Sequence, residues 1–203
     1  MMFITLVRRL IEESGLSEEF EALAELQGTA ARFPGLINQA YAEILSLPRW
    51  AFAWQELELD AAGGVVKLPD GYVDFDRAQV RFNGARLPER SYRIVQDLPA
   101  ETGGARVYAV RPDGAIVLHP APASGLLVLE SWQQVHVLEA DDDKPLIPSA
   151  WCDVIVWRAL MMYAASDAAT ELFAHAKAKA DQRQIDLVIK FAPPMRMMPE
   201  PLA

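Results

Sequence analysis

The stretch from residue 141 to residue 164, "DDDKPLIPSAWCDVIVWRALMMYA", decides the fold. Three aspartates and two prolines lead into a segment in which Asp153 and Arg158 are the only charged residues between 149 and 164. A helix with almost no polar face cannot leave one side to water. We therefore predict a helix at about 149–166 that other elements cover on every side.

Helices are predicted on both flanks of the chain. An apolar stripe in the first helix lies opposite its charges, and Gly15 is placed to end it. Ser17 is a suitable N-cap for a second helix over "SEEFEALAEL". A third helix runs to about Leu47, with Pro34 tolerated only in its first turn. After a break near Ser166 and Asp167, a last helix is expected over 168–190, with one apolar face that carries Leu172, Phe173, Ala176, Ala180 and Leu187.

The middle section, 50–138, changes to a period of two and predicts an antiparallel sheet of five to seven strands. Asn83 and Gly84 stand between extended arms, which is the strongest short hairpin signal. The "PDG" at 112–114 predicts a second hairpin turn. The apolar parity changes around Arg77 and Ala78, which indicates a bulge.

The fold class predicted from these patterns is α+β. N-terminal and C-terminal helices (3–47 and 149–190) form a helical bundle, an antiparallel β section (50–138) is inserted between them, and residues 1–190 make one domain. Residues 191–203, "FAPPMRMMPEPLA", contain four prolines and cannot form a helix or a central strand. They are expected to be an extended C-terminal tail.

Composition excludes several classes of function. The chain has 203 residues, of which 52% are hydrophobic and 23% charged, as in ordinary globular proteins. Its net charge of −9 and the lack of a basic stripe argue against gripping DNA, because that affinity comes from displacing counterions on phosphates. No apolar run reaches the ~20 residues of a membrane span. The N-terminus does not resemble a secretion signal, so we expect the protein to stay in the cytoplasm of the cell that makes it.

No catalytic, cofactor or metal site is predicted. His119, His136 and His175 show no ligand spacing, and each is interpreted as a structural or surface residue. The aspartates at 141–143 lack the pattern of a calcium loop and are expected to be a solvated loop before a helix. Cys152 is the single cysteine, which excludes an internal disulfide, and it is expected to be an inert core thiol.

The tail has too little apolar surface to order itself. Burying Phe191, Met195, Met197, Met198 and Leu202 would contribute about 1.5–3 kcal/mol each. Ordering the segment costs about 1–2 kcal/mol per residue, so the two terms nearly cancel. The tail is expected to settle only in a groove of another protein, a surface to which flexible methionines adapt well. A terminus without any partner is the alternative that composition leaves open.

The order of segments resembles the head-to-tail adaptor, or connector, proteins of tailed bacteriophages. "LVRRLIEESGLS" is similar to the opening helix of that family, and "INQAYAEILSLPRW" to the next, with Asn38, Ala40, Tyr41, Ile44, Arg49 and Trp50 at its marked positions. "LPDGYVDFDRAQVRFNGARLPERSYR" and "DGAIVLHPAP" resemble its β section. The acidic loop, Pro-x-x-Pro turn and "ALxxYA" helix of 141–164 are the closest match. The acidic stretch 18–26 replaces a more usual Gly/Ser-rich loop, and the tail after Ala192 does not match a specific segment of that family.

The resemblance implies a structural virion protein without enzymatic activity. It would form a homo-oligomeric ring, commonly of twelve copies, under the portal protein in the neck of the virion, after assembly in the host cytoplasm. The ring would extend the channel through which duplex DNA passes without specific binding, and would hold tail or nozzle proteins. The acidic balance fits, since a channel lined by carboxylates lets DNA slide.

The resemblance also directs two predictions about contact residues. C-terminal segments of related adaptors clasp the portal, so the portal-binding residues are predicted to be Phe191, Pro193, Pro194, Met195, Arg196, Met197, Met198 and Pro199. A neighbouring subunit is expected to cover the side of the 149–166 helix that its own sheet and helices leave open. The residues predicted at that subunit interface are Trp151, Asp153, Trp157, Arg158 and Met161.

Two other functions remain open from the sequence. One is a different neck or tail-completion protein of similar build, such as a stopper, which would not touch the portal directly. The other is an uncharacterised hydrolase or metal-binding enzyme that uses Asp141, Asp142, Asp143 or Cys152.

Overall fold

A computed structural model describes residues 1–46 and 49–192, apart from the side chain of Val73. The chain divides into two compact units. The first combines residues from Met1–Ala53 and Val135–Ala203, and the second is the continuous segment Trp54–Gln134. The predicted insertion of a β section between two helical segments is confirmed.

The helical unit contains four of the α-helices in the described residues. They are α1 (Phe3–Ser14), α2 (Phe33–Leu45), α4 (Asp153–Ser166) and α5 (Thr170–Phe191). Gly15 ends α1 in the left-handed conformation, with φ of 77°, and its N–H donates to the Glu12 carbonyl at 3.2 Å. Pro34 lies in the first turn of α2, where its missing N–H costs nothing. Helix α4 packs against α1, α2 and α5, so it is the centre of this unit.

The helix predicted over 17–26 is wrong. This segment is irregular and contains only a single 3₁₀ turn, Leu23–Glu25. The Glu25 carboxylate accepts from the Glu21 and Ala22 N–H groups, and the Leu23 N–H donates to Asp141 Oδ1 at 3.2 Å. Backbone N–H groups that would bond within a helix donate instead to side-chain acceptors, one of which is 118 residues away.

The β unit forms two antiparallel sheets where the sequence predicted one. Sheet A has five strands, and in it β8 (Leu126–Gln133) pairs with β1 (Trp54–Asp60) on one side. On its other side β8 pairs with β3 (Tyr72–Phe75) and with β4 (Arg81–Phe82), which also pairs with β5 (Ala85–Arg86). Sheet B orders β2 (Val65–Val66), β7 (Ile116–His119) and β6 (Val107–Val110), and a short helix, α3, spans Tyr92–Gln96.

The two sheets share one hydrophobic core. Leu57 stands opposite Leu129 in the β1–β8 register, and both belong to a buried cluster that also contains Phe82 of sheet A and Ile116 of sheet B. The alternation of apolar and polar residues that predicted these strands therefore marks the side chains that face this core.

Both predicted hairpin turns are confirmed. Asn83 and Gly84 connect β4 to β5 with φ of 46° and 82°, a conformation that asparagine and glycine tolerate best. The second turn joins β6 to β7. The bulge expected at Arg77 and Ala78 is wrong: a 3₁₀ turn begins there, and the Asp76 carboxylate accepts from the Ala78 N–H at 2.8 Å. This turn shifts the strand phase and produces the observed change of parity.

Candidate assembly surfaces

Helix α4 is covered largely by its own chain. Nine of its fourteen residues are buried, including the fully buried Ile155, Val156 and Leu160. Because α1, α2 and α5 surround it, the nearly complete absence of a polar face is satisfied inside the unit. Met161 and Met162 remain partly exposed.

The two charged residues of α4 pair within the chain. Asp153, 7% exposed, accepts from Arg183 Nε of α5 at 2.8 Å. Arg158 Nε donates to Glu43 Oε2 of α2 at 3.2 Å. Both charges of the helix therefore have partners on neighbouring helices of the same unit. Asp153 Oδ1 is buried and has no hydrogen-bond partner among the described residues, so this acid depends on one exposed arginine.

The remaining predicted interface residues differ in accessibility. Trp157 is 8% exposed and packs edge-on against His175 of α5, with ring centroids 5.7 Å apart. Trp151 and Met161 are partly exposed. The structure therefore leaves three of the five predicted residues accessible, namely Trp151, Arg158 and Met161.

An aromatic cluster joins the two predicted sites. The Phe191 ring lies edge-on to Phe52 and to Trp151, at centroid distances of 5.4 and 5.6 Å. Phe52 stacks on Trp50, whose indole N–H donates to the Ile44 carbonyl at 3.2 Å. Phe191, predicted to bind the portal, and Trp151, predicted at the subunit interface, are thus neighbours in one chain. The other predicted portal-binding residues, Pro193, Pro194, Met195, Arg196, Met197, Met198 and Pro199, lie outside the described residues.

The acidic loop 141–143 holds the start of α1. The Phe3 and Ile4 N–H groups donate to the carbonyls of Asp143 and Asp141, at 2.8 and 3.1 Å. These are two of the donors that have no partner inside a helix. The Asp143 carboxylate accepts from the Glu139 and Ala140 N–H groups at 2.7 and 2.8 Å, and these bonds hold its pKa below the ordinary value. The loop has a structural role that the sequence did not reveal.

Two polar side chains of α2 fix the segment that follows the β unit. Asn38 makes two 2.9 Å hydrogen bonds with Leu138, one through its Nδ2 to the carbonyl and one through its Oδ1 from the N–H. The Tyr41 hydroxyl accepts from the Leu146 N–H at 2.9 Å. Burial, partly offset by that bond, raises the pKa of Tyr41 to about 12, so this hydroxyl stays neutral and is a poor proton carrier. Both residues hold the loop that leads to α4.

The remaining candidate for chemistry is Cys152. It is fully buried, its thiol lies 3.3 Å from the Ile147 carbonyl, and burial raises its pKa to about 11. A thiol so rarely deprotonated near neutral pH is a poor nucleophile. Between residues 1 and 192, without 47 and 48, no group of three or more His, Cys, Asp or Glu side chains is placed to hold a metal ion.

One surface was missed by the sequence reasoning. Ile185, Val188 and Ile189 of α5 are 55%, 39% and 78% exposed, and they form the α5 stripe. The sequence signal was present, because Ile185 and Ile189 are four residues apart on the side opposite the buried Ala180 and Leu187, and Val188 lies next to them at the edge of that side.

In the described part of the chain, no helix is both long and apolar enough to cross a bilayer. No curated protein matches the sequence. A family model described as SU10 adaptor protein matches residues 3–197, which is nearly the whole chain and includes the segments that resemble phage adaptors. The chain belongs to the SU10 adaptor protein family, a family of phage head-to-tail adaptors.

Proposed function

We propose that this protein is a structural virion protein, the head-to-tail adaptor that forms a ring beneath the portal. The observation that carries the proposal is the family match over residues 3–197. The ring extends the DNA channel and offers the platform to which tail proteins attach, in the neck of the virion. It carries out no catalysis, in agreement with a buried, neutral Cys152 and an acidic loop whose groups are engaged in the fold.

Net charge supports passage of DNA rather than binding. At −9 the chain gives a ring of many copies a strongly negative charge, and phosphates that pass such a wall are repelled. We propose that duplex DNA slides through the ring without specific contacts.

The tail, residues 193–203, is the proposed portal-binding segment. Phe191 is held between Phe52 and Trp151, so its role is to fix the point from which the tail leaves the helical unit. The accessible residues Trp151, Arg158 and Met161 are proposed to lie at a contact with a neighbouring subunit. Asp153 and Trp157 support that contact from within the chain.

Electron microscopy of the protein with purified portal from the same phage tests the proposal. The expected result is a ring seated directly on the portal. A stopper or tail-completion protein would show no affinity for the isolated portal, and this outcome would refute the adaptor role.

Deletion of residues 193–203 tests the tail. We expect a folded protein with an unchanged melting temperature and at least tenfold weaker portal binding, because portal contacts multiply around a ring. A control variant of full length, with Met195, Met197, Met198 and Leu202 changed to serine, separates the apolar contacts from chain length. Unchanged portal binding by both variants would remove the tail from the proposal.

A further inference from the structure

The α5 stripe is unusual because it lies opposite an apolar face that is already buried. Ala176, Ala180 and Leu187 face the core, whereas Ile185 and Ile189 project to the other side with 55% and 78% of their surface exposed. The exposed face continues toward the start of the helix through two further alanines, Ala174 and Ala178. Spacings of three and four residues along this face are those of a helix that packs against another element.

A second apolar feature lies at the opposite end of the same helix. The α4–α5 depression, with a volume of ≈ 270 Å³, is lined by Ala164, Ala165, Ala168, Thr170 and Phe173. Three of these residues are alanines, and because their side chains are short the depression has room for a larger side chain. The exposed alanines at 165 and 168 are accessible to another molecule.

The stripe of a chain cannot fill the depression of that same chain. Thr170 and Phe173 of the depression lie on the same helix as the stripe, and about fifteen residues at 1.5 Å per residue place the two features roughly 23 Å apart. A contact between them therefore joins two molecules through two different surfaces. Such a contact is heterologous, and repeated heterologous contacts close into a ring when the rotation permits.

Charge distinguishes a second copy from other occupants. Lys190 follows Ile189 in the chain and is exposed, and Asp181, the carboxylate that lines the surface of the stripe, is paired with Lys177. Asp167 and Glu171 are exposed beside the depression. Placing the stripe in the depression brings the ammonium toward two carboxylates, an arrangement that steers association and fixes the orientation of the partner. Packing stripe against stripe would leave both the alanine floor and these carboxylates unmatched.

We propose that the α5 stripe of one copy packs into the α4–α5 depression of the next copy, as a subunit contact of the ring in addition to the one proposed at Trp151, Arg158 and Met161. This inference rests on the proposed function, which supplies the ring but does not say which surfaces build it. Three side chains cover far less than the ~800 Å² per partner of a stable pair, so one contact alone is weak. In a closed ring every copy uses both surfaces, and assembly becomes cooperative.

Cysteine crosslinking tests the contact. The variant with both Ile189→Cys and Ala165→Cys should give, on oxidation, a ladder of disulfide-linked multimers of the full chain. Either substitution alone should stay monomeric on a non-reducing gel, because each copy then offers only half of the contact. Dimers of the Ile189→Cys variant alone would indicate stripe-to-stripe pairing and would overturn the proposal. Replacing Ile189 by cysteine together with Ile94→Cys on α3, 57% exposed in the other unit, is the matched control and should give no ladder.

A charged substitution in the stripe gives an independent test of the contact. Ile189→Asp should abolish the ring seen by electron microscopy and analytical ultracentrifugation, whereas the control Ile94→Asp should leave it intact. If Ile189→Asp assembles normally on the portal and the double cysteine variant gives no ladder, the contact is wrong while the adaptor function stands. If the unmodified chain shows neither a ring nor portal binding, the proposed function itself fails.

Discussion

Replacing Arg183 by alanine should destabilise the helical unit more than neutralising its partner Asp153 does. Arg183 Nε lies 2.8 Å from Asp153 Oδ2, and the two side chains are 45% and 9% exposed. Removing the arginine leaves the buried Asp153 carboxylate without its partner, and the other carboxylate oxygen already has none among the described residues. Removing the charge of the aspartate instead leaves an arginine that water can solvate.

The exposure of each partner sets the magnitude. Breaking a fully buried pair costs about 3–5 kcal/mol, and exposed pairs contribute about 0–1 kcal/mol. Since Arg183 is nearly half exposed, water screens the pair, and we expect Arg183→Ala to cost about 2 kcal/mol. Asp153→Asn loses the pair and the favourable position of its charge in the first turn of α4, and should cost about 1 kcal/mol. The double variant should also cost about 1 kcal/mol, because no buried charge is left without a partner.

Chemical and thermal unfolding of the full chain at pH 7 measure these costs. For a protein of this size 1 kcal/mol corresponds to about 2–4 °C, so Arg183→Ala should melt about 4–8 °C lower. Lys177→Ala is the matched control on the same helix, because its pair with Asp181 is 53% and 46% exposed and should contribute about 0.5 kcal/mol or less. Additive costs in the double variant, or a larger cost for Asp153→Asn than for Arg183→Ala, would refute the reasoning.

Two further predictions concern single groups. The Cys152 thiol, with its pKa raised by burial to about 11, should resist a disulfide reagent at pH 8 in the folded protein and react fully in denaturant; rapid labelling of the folded chain would contradict this. Asp143→Asn should lower stability at neutral pH, because the native pKa of Asp143 is lowered by two N–H donors, and that contribution is present above the unfolded pKa and lost as the pH falls through the native one. The melting temperatures of the two proteins should therefore converge in acid, and a gap that does not depend on pH would exclude a stabilising role for the Asp143 carboxylate.

Local signals in the sequence predicted local structure correctly. Gly15, Pro34 and the Asn83–Gly84 pair each act through their own backbone conformation, so their positions carried over directly into helix ends and a hairpin. The break between the last two helices was predicted at Ser166 and Asp167, and α4 ends at Ser166. These residues act on their neighbours in the chain, which is why the prediction needed no tertiary information.

Contacts between distant residues explain the errors. The segment around Leu23 has the acidic first turn and N-cap of a helix, yet a hydrogen bond to Asp141 holds it in another shape. Strand β8 pairs with three strands of sheet A, and no alternation within a strand tells which neighbours it will have. The alternation within single strands therefore could not predict that the β unit forms two sheets.

The same limit applies to the surfaces through which copies of the chain could assemble. The apolar sequence of helix α4 predicts that it needs a partner, but its neighbours α1, α2 and α5 come from both ends of the chain and cover it. The sequence of α5 predicts one apolar face, yet Ile185 and Ile189 lie outside that face and are exposed. An apolar surface indicates a partner only if it stays exposed after the chain has folded. By that criterion the proposed neighbouring copy would gain more from the stripe of α5 than from the largely buried body of α4.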